Sequence, residues 1–422
     1  MCILRGKPAK PKPISAYFQR KRLLMRTLLV TNDFYPSRGG IESFNYEIAR
    51  RLKKDELVIY TSHCPGSREF DAQFDRKILR DSNSTLYGSP SQRKRIVKAF
   101  KENGCDRVLF GAAAPLALMS PVLRRAGAER IVAISHGHEA AWAKLPAAKK
   151  AIASIGKNVD VLTYISSYTK RVINSVLRDE DKIKLKKLVP AVDSKRFYPT
   201  GDGDEVRSAL GFSNDDPIAI CVGRIVERKG LKTLIKAWPK VMRKYPNARL
   251  LAVGKGPQSE ECRKLADELG LKANKNIVFN NSIPADDFKT LRSWYSAADI
   301  FAMPCFTRNF GLDFEGLGIV FLEAASCGKP VIAGHSGGAC DAVEHGKTGF
   351  LVKGTDPDDV AKRIIQLFDN PQLRKKMGEA GRQRVLSGDW QWNDIAAQCG
   401  LYLGVLAFRN FHRWVYSALS IN

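Results

Sequence analysis

Short runs of β-branched and aliphatic residues alternate along most of the chain with stretches whose apolar positions recur every three to four residues. This is the pattern of parallel strands joined by crossover helices. In the first half it predicts strands at Thr27 to Thr31, Glu56 to Thr61, Arg107 to Gly111, Arg130 to Ser135 and Val161 to Ile165. In the second half it restarts with Ile218 to Gly223, Arg249 to Gly254, Asn276 to Asn280, Ile300 to Met303, Pro330 to Ala333 and Gly349 to Val352. The polar, turn-rich stretch from Pro199 to Pro217 lies between the halves and suits a hinge. The expected architecture is α/β, with two doubly wound, Rossmann-like domains facing one another across a cleft.

After Gly39 and Gly40, Ile41, Phe44, Ile48 and Leu52 recur at helical spacing, which places the glycine pair between the first strand and the first helix. Ligands of open α/β sheets bind at that edge, and residues without a Cβ let backbone approach a phosphate or sugar. His136, in SHGHE, falls at the same edge after a later strand. In the second half, CVGRIVERKG sets Arg224 just past a strand-ending glycine and Lys229 five residues on, two cations suited to a diphosphate. In EGLGIVFLEAASCGKPVIA, Glu315 and Glu323 are eight residues apart, and Gly316 and Gly318 open a helix running to about Ser326. The pattern expects both carboxylates on that helix, gripping different parts of an elongated ligand, with free amides at its start holding an oxygen.

Composition narrows the classes. The 422 residues contain 69 Lys and Arg against 43 Asp and Glu, a net charge of +26. That excess calls for an anionic companion: nucleic acid, an acidic membrane surface or a phosphorylated substrate. No nucleic-acid-binding motif is present, and no apolar run reaches the ~18 to 20 residues of a membrane span. The nine cysteines lie no closer than 13 residues apart, at Cys327 and Cys340, which reads as reduced cytoplasmic thiols without zinc or disulfide spacing. The two DxD strings, Asp179-Glu180-Asp181 and Asp202-Gly203-Asp204, sit away from the strand ends and read as solvated loops, so no metal is expected. Residues Met1 to Arg26 hold eight basic side chains and no acidic one, and are either a basic arm or precede a start at Met25.

Together the glycine pair, the HGHE histidine, Arg224 with RKG, and the Glu-x7-Glu run followed by CGKPVIAGHSGG resemble the retaining GT-B glycosyltransferases of family 4. TNDFYPSRGGIESF, SHGHEAAWAKLP, DVLTYISSYTKR and GLDFEGLGIVFLEAASCG narrow the resemblance to actinobacterial GDP-mannose-dependent phosphatidylinositol-mannoside α-mannosyltransferases. The resemblance implies transfer of mannose from GDP-mannose to a lipid-linked inositol mannoside at the cytoplasmic face of the membrane, with retention at the anomeric carbon. By position, Arg224 and Lys229 bind the donor diphosphate, assisted by amides around Gly318, Ile319 and Val320. Glu323 holds the ribose, Glu315 the transferred sugar, Ile283 the base, His136 contacts the sugar, and Gly39 and Gly40 let the first lobe close on the donor.

The implied domains are a basic extension at 1–24, an acceptor- and membrane-facing domain at 25–198, a donor domain at 199–390, and a helical segment at 391–422 returning to the first. Where members carry GGAPE, this chain has Gly337-Gly338-Ala339-Cys340-Asp341, which loosens the expected turn and shortens its carboxylate. Arg308-Asn309-Phe310 replaces a more glycine-rich run near the acceptor side, which bears on acceptor identity more than on donor binding; a family 4 enzyme with another nucleotide-sugar or a glycan or glycolipid acceptor is the alternative. Two basic stretches, from Arg93 to Lys101 around Ile96, Val97 and Phe100, and from Lys144 to Lys157 near Trp142 and Ile152, read as amphipathic helices suited to an anionic membrane. A non-catalytic anionic-surface or nucleic-acid binding protein is the remaining alternative, and the intact Arg224, Lys229, Glu315 and Glu323 argue against it.

Overall fold

The computed structural model describes residues 25–405, apart from 285 and 389. The basic extension, and the aromatic end beyond residue 405, lie outside the described residues. Seven strands form the first sheet: β1 (Thr27–Thr31), β2 (Leu57–Thr61), β3 (Lys77–Arg80), β4 (Arg107–Phe110), β5 (Arg130–Ala133), β6 (Val161–Tyr164) and β7 (Leu185–Lys187). They are ordered β3-β2-β1-β4-β5-β6-β7 and pair in parallel. The second sheet contains β8 (Ile218–Val222), β9 (Arg249–Val253), β10 (Ile277–Asn280), β11 (Ile300–Met303), β12 (Val331–Gly334) and β13 (Gly349–Val352). Its order is β10-β9-β8-β11-β12-β13, also parallel.

Central strands such as TLLVT and IAICV are buried at every position because helices cover both sheet faces, so they read as continuous apolar runs. The helix Leu231–Lys244 shows the complementary period: Leu231, Leu234, Ile235, Trp238 and Val241 point into the core. Each such side chain contributes roughly 1.5 to 3 kcal/mol on burial.

The sequence pattern does not reveal β3 and β7. Both are sheet edges, KILR and LKK, whose charged residues discourage pairing with another chain and break the apolar signal. The stretch expected as a hinge is itself built structure. It forms the helix Gly203–Ala209, and Arg207 there donates to the carbonyls of Ala297, Ser213, Asn214 and Asp216.

At the other end, the helix Trp392–Leu403 returns to the first sheet. Trp392 packs on Phe44, Arg51 donates to Asn393, and Arg107 and Arg130 donate to the carbonyls of Leu403 and Tyr402.

Candidate active site

Strand order reverses between β1 and β4 in one sheet and between β8 and β11 in the other. Loops leaving the two strands at such a point diverge, and a crevice opens between them. The loop after β8 carries Arg224, exposed and without a carboxylate partner among the described residues. It then turns through Glu227–Lys229, which aims Lys229 at the loop after β11. There Lys229 Nζ lies 2.6 Å from Glu315 Oε2, with the two side chains only 14% and 7% exposed. The cation and the first glutamate are thus one buried pair.

Glu315 is not on the helix, contrary to the sequence expectation. It occupies the turn ahead of the helix Ile319–Ser326, where its N–H donates to Ser336 Oγ (3.3 Å) and its carbonyl accepts from Gly338 N (2.8 Å). Gly318 precedes the helix with φ 83°, a left-handed conformation, and an added Cβ would strike the Phe321 ring. Ile319 and Val320 follow, so their amides open the helix at its positive end. Glu323 is the fifth helical residue, one turn in. Its Oε2 accepts from Tyr295 Oη at 2.9 Å, and burial pushes its carboxyl up to about 7 against the opposing pull of that hydrogen bond and of Lys229. Ile283 lies half-buried beyond β10, against the core of the second lobe.

Across the cleft, His136 follows β5 and packs edge-on against Phe44 at 5.1 Å. Its Nε2 donates to the Gly111 carbonyl at 2.7 Å, because a carbonyl can only accept. Burial lowers its pKa, which keeps the ring neutral and leaves Nδ1 with a lone pair for a hydroxyl proton. A residue the sequence pattern does not single out fixes this loop: buried Glu139 accepts from Ser135 Oγ (2.9 Å), His136 N (3.0 Å) and Gly137 N (3.2 Å). Gly137, at φ 102°, faces Gly316 of the opposite lobe so closely that a Cβ on Gly137 would lie 3.6 Å from the Gly316 Cα. The structure therefore brings His136 and Glu315 to the same crevice.

Gly39 and Gly40 start the helix Gly40–Ala49 that carries Phe44. Gly39 is extended and Gly40 has open space where a Cβ would stand, so this backbone does not itself require glycine at either position. Beside them Arg38 pairs with Asp286 of the second lobe at 2.6 Å.

Two further expectations are corrected. The Gly337 to Asp341 run is not loose: Asp341 Oδ2 accepts from Ser167 N of the first lobe at 2.5 Å, and Ala339–Ala342 is helical. The two basic helices, Pro90–Glu102 and Pro146–Asn158, bury Ile96 and Phe100, and Ile152 and Ile155, in the core. Their apolar faces are therefore unavailable to a bilayer, and what they present outward is mainly charge. The DxD strings are not solvated loops: they lie in the short helix Asp179–Lys182 and at the start of the helix Gly203–Ala209, Asp181 is buried, and cations pair with Asp179 (Lys182), Asp181 (Arg178 and Lys184) and Asp202 (Arg292).

Residues 38–185 match the model of Glycosyltransferase Family 4, and residues 202–384 that of Glycosyl transferases group 1. Over 376 residues the chain is 41% identical to the GDP-mannose-dependent alpha-(1-6)-phosphatidylinositol monomannoside mannosyltransferase of Mycolicibacterium smegmatis, covering 88% of this chain and 96% of the relative. It belongs to the family 4 glycosyltransferases. This glycosyltransferase is also 40% identical over 371 residues to the GDP-mannose-dependent monoacylated alpha-(1-6)-phosphatidylinositol monomannoside mannosyltransferase of Corynebacterium glutamicum, covering 87% and 94% of the two chains. Its two-lobed GT-B fold is shared with Anabaena Alr3699/HepE, solved in complex with UDP, at a TM-score of 0.75 and 19% identity over 90% of this chain and all of that one. As a family 4 glycosyltransferase it draws its sugar from a nucleotide-sugar donor.

Proposed function

We propose that the enzyme transfers mannose from GDP-mannose to phosphatidylinositol monomannoside, with retention at the anomeric carbon, at the inner face of the cytoplasmic membrane. The observation that carries this reading is the convergence of Arg224, the Lys229–Glu315 pair, Glu323 and the start of the helix Ile319–Ser326 on one crevice, in a chain so similar to enzymes of that name.

In this reading the diphosphate lies against Arg224, Lys229 and the Ile319 and Val320 amides, which stabilise charge as the leaving group departs. Glu323 takes the ribose hydroxyls and Ile283 packs on the base. Glu315 and His136 Nδ1 accept from hydroxyls of the mannose, one from each lobe. The donor phosphate itself takes the acceptor proton on the same face of the sugar, so the protein supplies position and field more than a dedicated base. Gly39 and Gly40 give the first lobe room to close over the donor. No metal enters the scheme, and the enzyme meets the membrane peripherally; among the described residues no helix is long and apolar enough to cross it.

The test incubates the purified enzyme with GDP-mannose and vesicles carrying phosphatidylinositol monomannoside, with UDP-glucose as the parallel donor. The expected result is a lipid heavier by one hexose from GDP-mannose alone. Product from UDP-glucose instead, or none while GDP-mannose still binds, overturns the assignment.

A further inference from the structure

Lys144 and Arg171 stand on two segments of the first lobe that reach the cleft, Lys144 in the connection after β5 and Arg171 on the helix Ser167–Asn174 after β6. They flank one ring: Lys144 Nζ lies 5.4 Å and the Arg171 guanidinium 5.7 Å from the centre of Tyr168. Neither has a carboxylate partner among the described residues. The carboxylates on this flank are engaged elsewhere: Asp313 lies near Arg228 (3.6 Å) and Arg308 (3.7 Å), and Asp341 accepts from Ser167 N. Lys144 Nζ donates to Tyr168 Oη (2.9 Å) and to the Gly311 carbonyl of the opposite lobe (3.0 Å), which leaves one of its three donors.

The next residues along each chain are apolar and exposed. Leu145 follows Lys144, and Phe310, fully exposed, precedes Gly311. Asn309 and Phe310 both have positive φ, 49° and 54°, a conformation that asparagine tolerates and a bulky L residue such as phenylalanine avoids. Strain that holds a phenyl ring in water gains nothing within the fold, and such strain collects where a ligand is met. A cationic pair bordered by exposed apolar side chains matches an amphiphile with an anionic head.

We propose that Lys144 and Arg171 bind the phosphodiester of the lipid acceptor at the mouth of the cleft, with Phe310 and Leu145 seated at the level where its acyl chains begin. The inference rests on the lipid-acceptor reading above and adds the place where the acceptor's charge is held. It also accounts for Arg308-Asn309-Phe310, because the strained turn holds an exposed ring next in sequence to the carbonyl that Lys144 bonds.

Steady-state kinetics with GDP-mannose and micellar phosphatidylinositol monomannoside test it. Lys144→Gln and Arg171→Gln should each raise the acceptor KM about tenfold while the donor KM moves less than twofold. Lys144→Arg should recover most of the loss; simple removal of a bridge between the lobes would instead raise the donor KM as well. Independently of turnover, calorimetry should detect glycerophosphoinositol binding to the full chain, lost in the Lys144→Gln/Arg171→Gln double variant. Inorganic phosphate at matched ionic strength should not compete with it. Phe310→Ser should weaken sedimentation with phosphatidylinositol-containing vesicles severalfold.

Unchanged acceptor KM in both glutamine variants, with mannose transfer intact in the wild type, overturns the subsite and leaves the function standing. Equal competition by inorganic phosphate overturns the headgroup assignment, and unchanged vesicle binding by Phe310→Ser overturns the lipid-facing half. If the wild type transfers no mannose to lipid, the functional reading fails by itself, and the glycerophosphoinositol titration still decides the subsite.

Discussion

Burial holds the Glu323 carboxyl near 7, so at neutral pH about half of the unliganded molecules carry it protonated. Because the folded value is raised, this group favours the fold fully below its unfolded value of roughly 4.3 and loses that contribution as pH climbs through 7. Donor binding runs the other way. Ribose hydroxyls donate best to the ionised carboxylate, so affinity for GDP-mannose should rise several-fold from pH 6 to pH 8. The diphosphate diester has no proton to lose in that range, and Glu323→Gln should flatten the profile in calorimetric titrations. A flat wild-type profile refutes the ribose assignment.

The Lys229–Glu315 pair makes a second residue-scale prediction. Lys229→Ala strands a buried carboxylate, which should lower the unfolding free energy by about 3 kcal/mol without unfolding the enzyme. Turnover should fall at least a hundredfold. Adding Glu315→Gln should restore much of the stability in urea melts while activity stays lost; a double variant no more stable than the single one contradicts the pairing.

The helix Gly40–Ala49 separates stability from function at the scale of one element. Open space at Gly40 means that Gly40→Ala meets no protein atom, and in a helix it should stabilise by about 0.5 to 1 kcal/mol. If the pair keeps room for the donor, turnover nonetheless falls, tenfold or more. A rise in melting temperature with full activity dissociates the glycine from the site.

Elements are legible where their signal is local. Buried parallel strands announce themselves as apolar runs, and the loop after β8 carries Arg224 and Lys229 close behind its strand, while Glu315 and Glu323 are marked by their own glycine-rich run and not by nearness to β11. The edge strands β3 and β7 stay hidden because what protects an edge also erases its pattern. Contacts between distant residues leave no trace: Tyr295 reaches Glu323 over 28 positions and Lys144 reaches Gly311 over 167. Glu139 stands inside a motif that draws notice for its histidine, and only the three donors converging on it reveal what it does. The basic helices mislead because an amphipathic pattern states that a helix has two faces and not which of them is already covered.

At the scale of the whole molecule, the contacts that tie the lobes at the cleft include Arg38 to Asp286, Ser167 to Asp341, and Lys144 to Gly311, with Tyr168 packed on Phe314 beside the last. Asp341→Ala removes the acceptor at the start of the helix Ser167–Asn174. It should increase the radius of gyration seen by small-angle scattering and raise the donor KM several-fold. An unchanged radius together with an unchanged KM excludes a role for this contact in holding the lobes.

The return of the helix Trp392–Leu403 also imposes an order on synthesis. Arg107 and Arg130 find the carbonyls of Leu403 and Tyr402 only 296 and 272 residues later. All seven strands of the first sheet leave the ribosome long before the helix that covers Phe44 exists, so that lobe receives its covering helix only after the second lobe has been made. A chain broken off anywhere before this helix carries an uncovered aromatic face, a mark by which quality control can tell an unfinished enzyme from a complete one.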